Sequence, residues 1–507
     1  MDGLLNARDF GTPDNPATLA SALDAANTAG TGVYLSPGTW AAGILHRAYA
    51  PKIIGADASL VKIEQTDYTD DMWKFSGSRG AAKLLTVDVA ENGRVLQVDT
   101  TGITAGDILL LGDNTRIRSD TANRFNGQAA RVISVDSPTQ LTIKEAAFKG
   151  YTVADGAFIA KWNPIKDVVI KGVQFVNPTP AASTKTWLTI EHAIDVELDV
   201  DGLGAGHVAL ALWHCYRFRV RTKAVDYVDD PPNYHYAYGV SVAGASAHGT
   251  VDVLMDTGRH GFATNWRDGD YGHPYNIIVR GLTTGASAAG FNTHAAGNVI
   301  SFADVHAVDN IGKSAVQEGA GLDIRSPNTV VNGGIVNQAN AGVIIRENAH
   351  NSIVQNLLIQ NVRRLNGMYG NGIATLTPLT RIALLNNTIR KIGCSGFRAN
   401  ADISHLMIKG GWIDTWGMEG IGGERGGVRL NPVATQVTVQ NVTATDVVYD
   451  SSKYFMYMDK WATGAADVVF KDNTVYGNIP LIYDELRIAD GSGNVTIANS
   501  DAKEVAV

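Results

Sequence analysis

Residues 319–347 read GAGLDIRSPNTVVNGGIVNQANAGVIIRE, and one short phrase occurs in them twice, as Gly321-Leu322-Asp323-Ile324-Arg325 and Gly342-Val343-Ile344-Ile345-Arg346. Each runs small, apolar, variable, apolar, polar, the period-two alternation of a strand with one buried face. The phrase recurs on both sides. Upstream stand Gly239-Val240-Ser241-Val242, Gly261-Phe262-Ala263-Thr264-Asn265 and Gly290-Phe291-Asn292-Thr293-His294. Downstream stand Gly372-Ile373, Gly396-Phe397 and Gly427-Val428-Arg429-Leu430-Asn431. From Gly239 to Gly427 the mean interval is about 27 residues, a solenoid period.

A second phrase keeps the same beat out of phase, an apolar strand closing on Gly, Asn or Asp. Examples are Val279-Arg280-Gly281, Val331-Asn332-Gly333, Val354-Gln355-Asn356, Leu385-Asn386-Asn387, Val439-Gln440-Asn441 and Phe470-Lys471-Asp472. Two phase-locked strands per period predict one coil of a β-solenoid per period. Helical repeats are excluded by the period of two and the β-branched content, and leucine-rich repeats by the absence of a leucine ladder. The asparagines of the second phrase are expected to form a turn ladder that satisfies backbone groups.

Composition agrees. A chain of 507 residues exceeds what one compact core serves, so it is several domains or one elongated repetitive one. Its 54 glycines, spread along the whole length, require many turns. The 42 basic and 50 acidic residues give a net charge of −8 with no Lys/Arg run, which argues against nucleic acid as a partner. No apolar run reaches the ~18 residues of a membrane span, and no signal-peptide pattern opens the chain, so membrane insertion is not expected. Cys215 and Cys394 are too few for a disulfide framework or zinc site and read as buried thiols.

Toward the N-terminus, Ala17 to Thr28 reads as a short amphipathic helix with Leu19, Ala22, Leu23 and Ala26 on one side. Such a helix can cap the open end of a solenoid. Asp9-Phe10-Gly11, this helix and the strand ending Pro37-Gly38-Thr39-Trp40 together resemble the opening of pectate-lyase-like right-handed parallel β-helix proteins, the group of bacteriophage tailspikes and polysaccharide lyases. Thr12-Pro13-Asp14-Asn15-Pro16 departs from the Gly-Asp-Gly of many relatives. The fold expected is all-β, a right-handed parallel β-helix of about 12 coils with a capping helix. Residues 82–162 break the rhythm, and the segments 95–98, 107–111, 130–135 and 140–143 read as antiparallel strands of a small insertion. The organisation expected is 1–81 cap and first coils, 82–162 insertion, 163–507 main β-helix.

Successive coils stack ~4.8 Å apart, so the alignment itself predicts neighbours. The fourth position after the glycine runs Asn265, His294, Arg325, Arg346, Leu376, Asn400, Asn431, and the second runs Ala263, Asn292, Asp323, Ile344, Ala374. Both are expected to face outward, forming a patch that holds Asn265, Asn292, His294, Asp323, Arg325 and Arg346, with Glu347 at its rim. Stacked arginines repel unless an anion lies between them, and Asp323 and Glu347 can supply that charge. Eight of the twelve histidines fall in residues 192–294. The irregular stretches 226–238 and 266–275 bring Asp229, Asp230, Tyr234, Tyr236, Tyr238, Trp266 and Tyr271. Aromatic faces suit sugar rings, and loops are where scaffolds carry function. His260, beside the motif glycine, either reaches the groove or closes a coil. Glu191-His192 and Trp213-His214 hold the matching place in earlier coils.

The resemblance implies a depolymerase of a bacterial surface polysaccharide, acting outside the cell as part of a virion tail, and a homotrimer. Three chemistries remain open, with elimination from a uronic-acid-containing glycan narrowly favoured because two stacked arginines are hard to explain otherwise. Elimination from a uronate requires a cationic clamp and a base, for which Arg325, Arg346 and His294 are candidates, with Tyr236 or Tyr238 as acid. Hydrolysis requires two carboxyl groups, for which Asp323 with Glu347, or either with Asp229 or Asp230, are candidates. A non-catalytic glycan-binding adhesin would use the same groove. Asn265, Asn292, Tyr236, Tyr238, His260, Trp266 and Asp230 are the expected substrate-binding residues. No cofactor is expected; Asp268-Gly269-Asp270 is the one calcium candidate and falls short of a full oxygen shell.

Overall fold

The computed structural model describes residues 3–117, 124–179, 185–204, 207–225, 237–265, 267, 269–294, 297–312, 318–364, 370–419, 426–430, 434–445, 454–458, 466–476, 482–484, 495–498 and 501–503. The fold is a right-handed parallel β-helix with a capping helix and a β-rich insertion. Contacts divide it into two compact units, residues 1–258 with 262–277, and residues 259–261 with 278–507.

After a short strand, Leu4–Asn6, and a 3-10 turn, Ala7–Phe10, the first unit runs into the helix Pro16–Thr28, entered through Asn15, whose side chain accepts from the Ala17 N–H, while Pro16 occupies the first turn. This local chemistry replaces the Gly-Asp-Gly of the resemblance: an Asx cap followed by a proline is a strong helix start. Leu19, Ala22, Leu23 and Ala26 are buried, as the helical period requires. The first coils then run in parallel. Gly32–Leu35 pairs with Lys52–Gly55, and Gly38–Ala42 pairs with Val61–Gln65.

The insertion leaves the solenoid and returns without breaking its ladders. Lys52 pairs with Val169, Lys62 with Gln174 and Trp73 with Leu188, so strands after the insertion hydrogen-bond to strands before it. The inserted residues build a separate, mainly antiparallel sheet from Ser78–Leu84, Val95–Gln97, Ile108–Arg116, Arg124–Ser137, Gln140–Ile143 and Phe158–Asn163. One face holds its own core of Leu96, Leu109, Leu111, Ala130, Val132, Leu141 and Ile159. The other, through Ile108, Leu110, Ala129, Phe158 and Trp162, packs on Ile194, Tyr216, Ala245, Ala247 and Tyr275 of the coils. Alternate residues of one strand thus serve two cores.

In the second unit the first coils contribute the two strands expected, and from Ala341–Ile345 onward each described coil contributes three. Val330–Asn337 pairs in the next coil with both Ile353–Gln355 and Leu358–Val362. The break falls at Asn356, φ 55°, and its successors Asn386, Gly410, Asn441 and Asp472 also have positive φ. Only Gly, Asn and Asp hold that conformation cheaply, which is why the second phrase closes on these three types. Inside, like stacks on like. Phe302, Val331, Val354, Leu384, Ile408, Val439 and Phe470 form one buried column. Buried Asn387 stitches two rungs, donating to the Val354 carbonyl at 2.8 Å and accepting from the Leu357 N–H at 3.1 Å. Cys215 and Cys394 are buried free thiols.

Candidate active site

In the second unit the ladder Ala289–Asn292, Ala320–Ile324, Ala341–Ile345, Ile373–Thr375 has the register of the glycine alignment. Asn292 pairs with Asp323, Asp323 with Ile344, and Ile344 with Ala374. Backbone bonds from Arg346 N–H to the Ile324 carbonyl (2.9 Å) and from Leu376 N–H to that of Ile345 (3.0 Å) carry the register to the fourth position. His294, Arg325 and Arg346 therefore follow one another on adjacent rungs. Asn265 belongs to the first unit, where its side chain donates to the Ser241 hydroxyl at 3.3 Å.

These positions are not the solvated outer face expected. Asn292, Ile344 and Ala374 are buried, and Asp323 is 1% exposed. The polar groups tolerate this because they satisfy one another. Arg346 makes a two-pronged contact to Asp323, Nε to Oδ1 at 3.0 Å and Nη2 to Oδ2 at 2.7 Å, and Nη2 also reaches Glu318 at 2.9 Å. Arg325 is ion-paired with Glu347. Asn292 donates to Asp323 at 3.3 Å, and its carbonyl accepts the His294 N–H at 2.7 Å. Thr293 accepts both the Arg325 and Ser326 N–H groups. Ala289, Ala320, Ala341 and Ile344, with Leu376 against them, form an apolar cluster on the same strands.

The electrostatics follow from this burial. Desolvation opposes the Arg346 charge, but attraction and hydrogen bonding from Asp323, then Glu318, more than offset it, and the pKa lies above the ordinary arginine value. His260 is buried with Nδ1 2.7 Å from the Ala289 carbonyl oxygen, and it closes a coil rather than facing a groove. Burial, then the Arg259 charge, pushes its pKa down to about 3. His294 packs edge-on against His260, ring centroids 5.5 Å apart, and its Nδ1 is shut off from solvent. Burial, then His260 and the surrounding arginines, holds it well below the ordinary value. Both imidazoles are neutral at pH 7.

In the first unit, Tyr238 is buried with Val208, Ala211, Trp213, Ala243 and Ala263, so its ring is core rather than an open sugar platform. Tyr236, Trp266 and Asp230, with Asp229, Tyr234 and Asp268, lie outside the described residues. Glu191 pairs with Lys74 at 2.6 Å and Arg267 at 3.2 Å, and the Arg267 guanidinium lies 3.7 Å from the centroid of the Trp213 ring. His214 meets both oxygens of Asp270 at 3.0 Å and stacks on His192. That contact occupies one of the two carboxylates of the calcium candidate. Among the described residues no cluster of three or more His, Cys, Asp or Glu side chains is arranged to hold a metal ion.

Sequence reasoning missed Glu318, Lys74 and Arg267. Glu318 precedes its motif glycine by three residues, outside the aligned frame. Arg267 sits in a loop with no repeat partner.

Among the described residues no helix is long and apolar enough to cross a membrane. No protein-family profile matches the chain. A curated relative, the K1-specific capsule depolymerase of Klebsiella phage K64-1, is 25% identical over 237 residues, 44% of this chain and 26% of its own length. The chain thus spans about a quarter of that relative. The tailspike of Acinetobacter baumannii bacteriophage AP22, solved with a capsular saccharide, aligns over 98% of this chain and 79% of its own at 16% identity and TM-score 0.66. The tailspike of Pseudomonas phage phi297 aligns over 98% and 84% at 13% identity and TM-score 0.68. That of Pseudomonas phage LKA1 aligns over 99% and 84% at 16% and 0.61. The chain has the parallel β-helix fold of these phage tailspikes.

Proposed function

We propose that the chain is a tailspike-type depolymerase that cleaves a bacterial surface polysaccharide by hydrolysis, acting from a virion tail as a homotrimer. The observation that carries this is the acid–arginine network of Glu318, Asp323, Arg325, Arg346 and Glu347, held on adjacent rungs of a tailspike-like β-helix. The sequence resemblance to a capsule depolymerase supports the same class.

Two observations weigh against elimination, the chemistry that the stacked arginines favour on sequence alone. Arg325 and Arg346 already hold carboxylates of the chain, so a substrate carboxylate would have to displace them. His294 is a weak base, since its pKa lies well below the working pH, and proton abstraction is most efficient when the two match. Hydrolysis instead needs two carboxyl groups across the glycosidic bond. Asp323 is too buried to meet a sugar. Glu318 and Glu347 are the partly exposed carboxylates of the network. In this reading they react, while Asp323 positions Arg346 and Arg346 positions Glu318.

Purified capsular polysaccharide from the host supplies the test. Reducing ends should accumulate without the near-ultraviolet absorbance of an unsaturated sugar, and chelation by EDTA should leave the rate unchanged. Glu347→Gln and Glu318→Gln should each cut turnover by roughly 10²–10⁴-fold. Growth of near-ultraviolet absorbance would return the reading to elimination. Binding without chain shortening would make the protein an adhesin.

A further inference from the structure

The first unit carries a second ionic constellation that the hydrolytic chemistry does not use. Lys74, Glu191 and Trp213 come from three different strands. Glu191 pairs directly with Trp213 in the next rung, and Lys74 lies on the strand paired to Thr189. Arg267 descends on them from a loop. Its guanidinium lies over the Trp213 ring, 3.7 Å from the centroid, and one nitrogen, Nη1, is tethered to Glu191 at 3.2 Å. Glu191 in turn holds Lys74 at 2.6 Å. Burial alone would raise the Glu191 pKa, but Lys74 and Arg267 reverse that and keep it lowered, so at neutral pH the trio carries one net positive charge.

The geometry of Arg267 suits a receptor more than a closed ion pair. A closed pair would use two prongs, as Arg346 does with Asp323. Arg267 spends one. Its remaining N–H donors make no hydrogen bond among the described residues, and the side chain is 40% exposed. The plane is nevertheless fixed by the Trp213 ring on one side and Glu191 at one corner. A guanidinium pre-set in this way loses little freedom on binding, and its free edge matches the two oxygens of a carboxylate.

We infer that Lys74, Glu191, Trp213 and Arg267 form a recognition site for a carboxylate-bearing sugar residue, with Arg267 as the group that contacts the acid. This deepens, and rests on, the glycan-directed reading proposed above by assigning the polymer an acidic repeat. Chemistry at Glu318 and Glu347 is a separate matter.

The test measures binding apart from cleavage. The full chain is titrated by calorimetry with oligogalacturonate, hyaluronan oligosaccharides and oligosialic acid, and with the same oligosaccharides after reduction of their carboxyl groups to alcohols. At least one acidic probe should bind, its reduced form at least tenfold more weakly. Arg267→Ala should weaken the acidic probe by roughly ten- to a hundredfold, the loss of charge-assisted hydrogen bonds. Arg267→Lys should restore little, since an ammonium lacks the planar fork. Higher salt should weaken wild-type binding more than that of Arg267→Ala. Three results would overturn the inference: no acidic probe bound by wild type, equal binding of acidic and reduced forms, or wild-type affinity in Arg267→Ala. If neutral polysaccharide is shortened and no acidic probe binds, the depolymerase reading stands and this site falls. If acidic probes bind through Arg267 and no polymer is shortened, the site stands and the depolymerase reading falls.

Discussion

At the scale of single residues, the network on the second unit's ladder stands or falls as a group, because each member's burial is tolerable only while its partner remains. Arg346→Met would take from Asp323, 1% exposed, the guanidinium paired with it. Breaking a buried pair from one side typically costs about 3–5 kcal/mol, so denaturant unfolding of this variant should show a loss of that order, with the baseline slope unchanged. An exposed ion pair such as Arg217–Asp195 should lose under about 1 kcal/mol on the same change. The histidines add a pH dependence. Folding depresses the His260 pKa to about 3 from an ordinary 6.5, so below 6.5 the unfolded chain takes up a proton that the folded chain refuses. The His260 contribution to stability is therefore complete above about pH 6.5 and is lost progressively as the pH falls toward about 3. Unfolding midpoints across that window should decline in wild type and decline less in His260→Gln. A parallel decline in both would show that other groups dominate.

At the scale of elements, the strand ladder rests on turns that the sequence announces and on stitches that it half conceals. Asn387 spans two rungs from inside, and Asn473 repeats the arrangement with the Val439 carbonyl and the Val442 N–H. Asn387→Ala strands a buried donor and a buried acceptor, each worth about 1–3 kcal/mol when unmet. Thermal unfolding should register that loss, whereas Asn356→Gly, at an exposed turn with φ 55°, should be nearly neutral. The insertion has its own fastening. Glu145 accepts from the Tyr216 hydroxyl at 2.6 Å and the Arg131 N–H at 2.7 Å and meets His248 at 3.0 Å. Much of this scale was legible beforehand. The capping helix, the antiparallel insertion strands and the register of Asn292, Asp323, Arg325 and Arg346 follow from periodicity, because a parallel solenoid turns sequence phase into spatial adjacency. The third strand of the coils after Ala341 was not legible, since segments such as Trp412–Asp414 are too short to alternate visibly. Burial of the site was not legible either. Alternation assigns a side chain to a face, and the second position read as outward. Whether that face meets water depends on non-repeating residues such as Glu318 and on partners such as Arg346 that let a carboxylate sit in the dry. Arg267 has no phase at all, which is why it escaped the alignment.

At the scale of the whole molecule, the proposed homotrimer requires a surface that one copy can offer to another. The middle ladder of the second unit presents such a stripe. Its register stacks Val330, Ile353, Ala383, Met407, Thr438 and Val469, one per rung. Inward column residues such as Leu384 and Ile408 flank these positions in sequence, so by strand alternation the stripe lies on the outer face. Met407 is 44% exposed, and Val330, Ile353 and Ala383 are only partly covered. An outward row that is apolar at five of its six positions, broken at Thr438, is unusual for a solitary soluble chain and marks an interaction surface. A parallel β-helix keeps such a row straight, and straight apolar rows from three copies can close around a common axis with no unpaired patch left over. Light scattering should therefore return three times the chain mass of 53.9 kDa. Met407→Lys sets a charge in mid-stripe, near Lys409, and should shift the mass toward a single chain while leaving the far-ultraviolet circular dichroism of the β-helix intact. A trimer that survives Met407→Lys would place the interface on another face, and a wild-type protein that weighs one chain would remove the trimer from the proposal altogether.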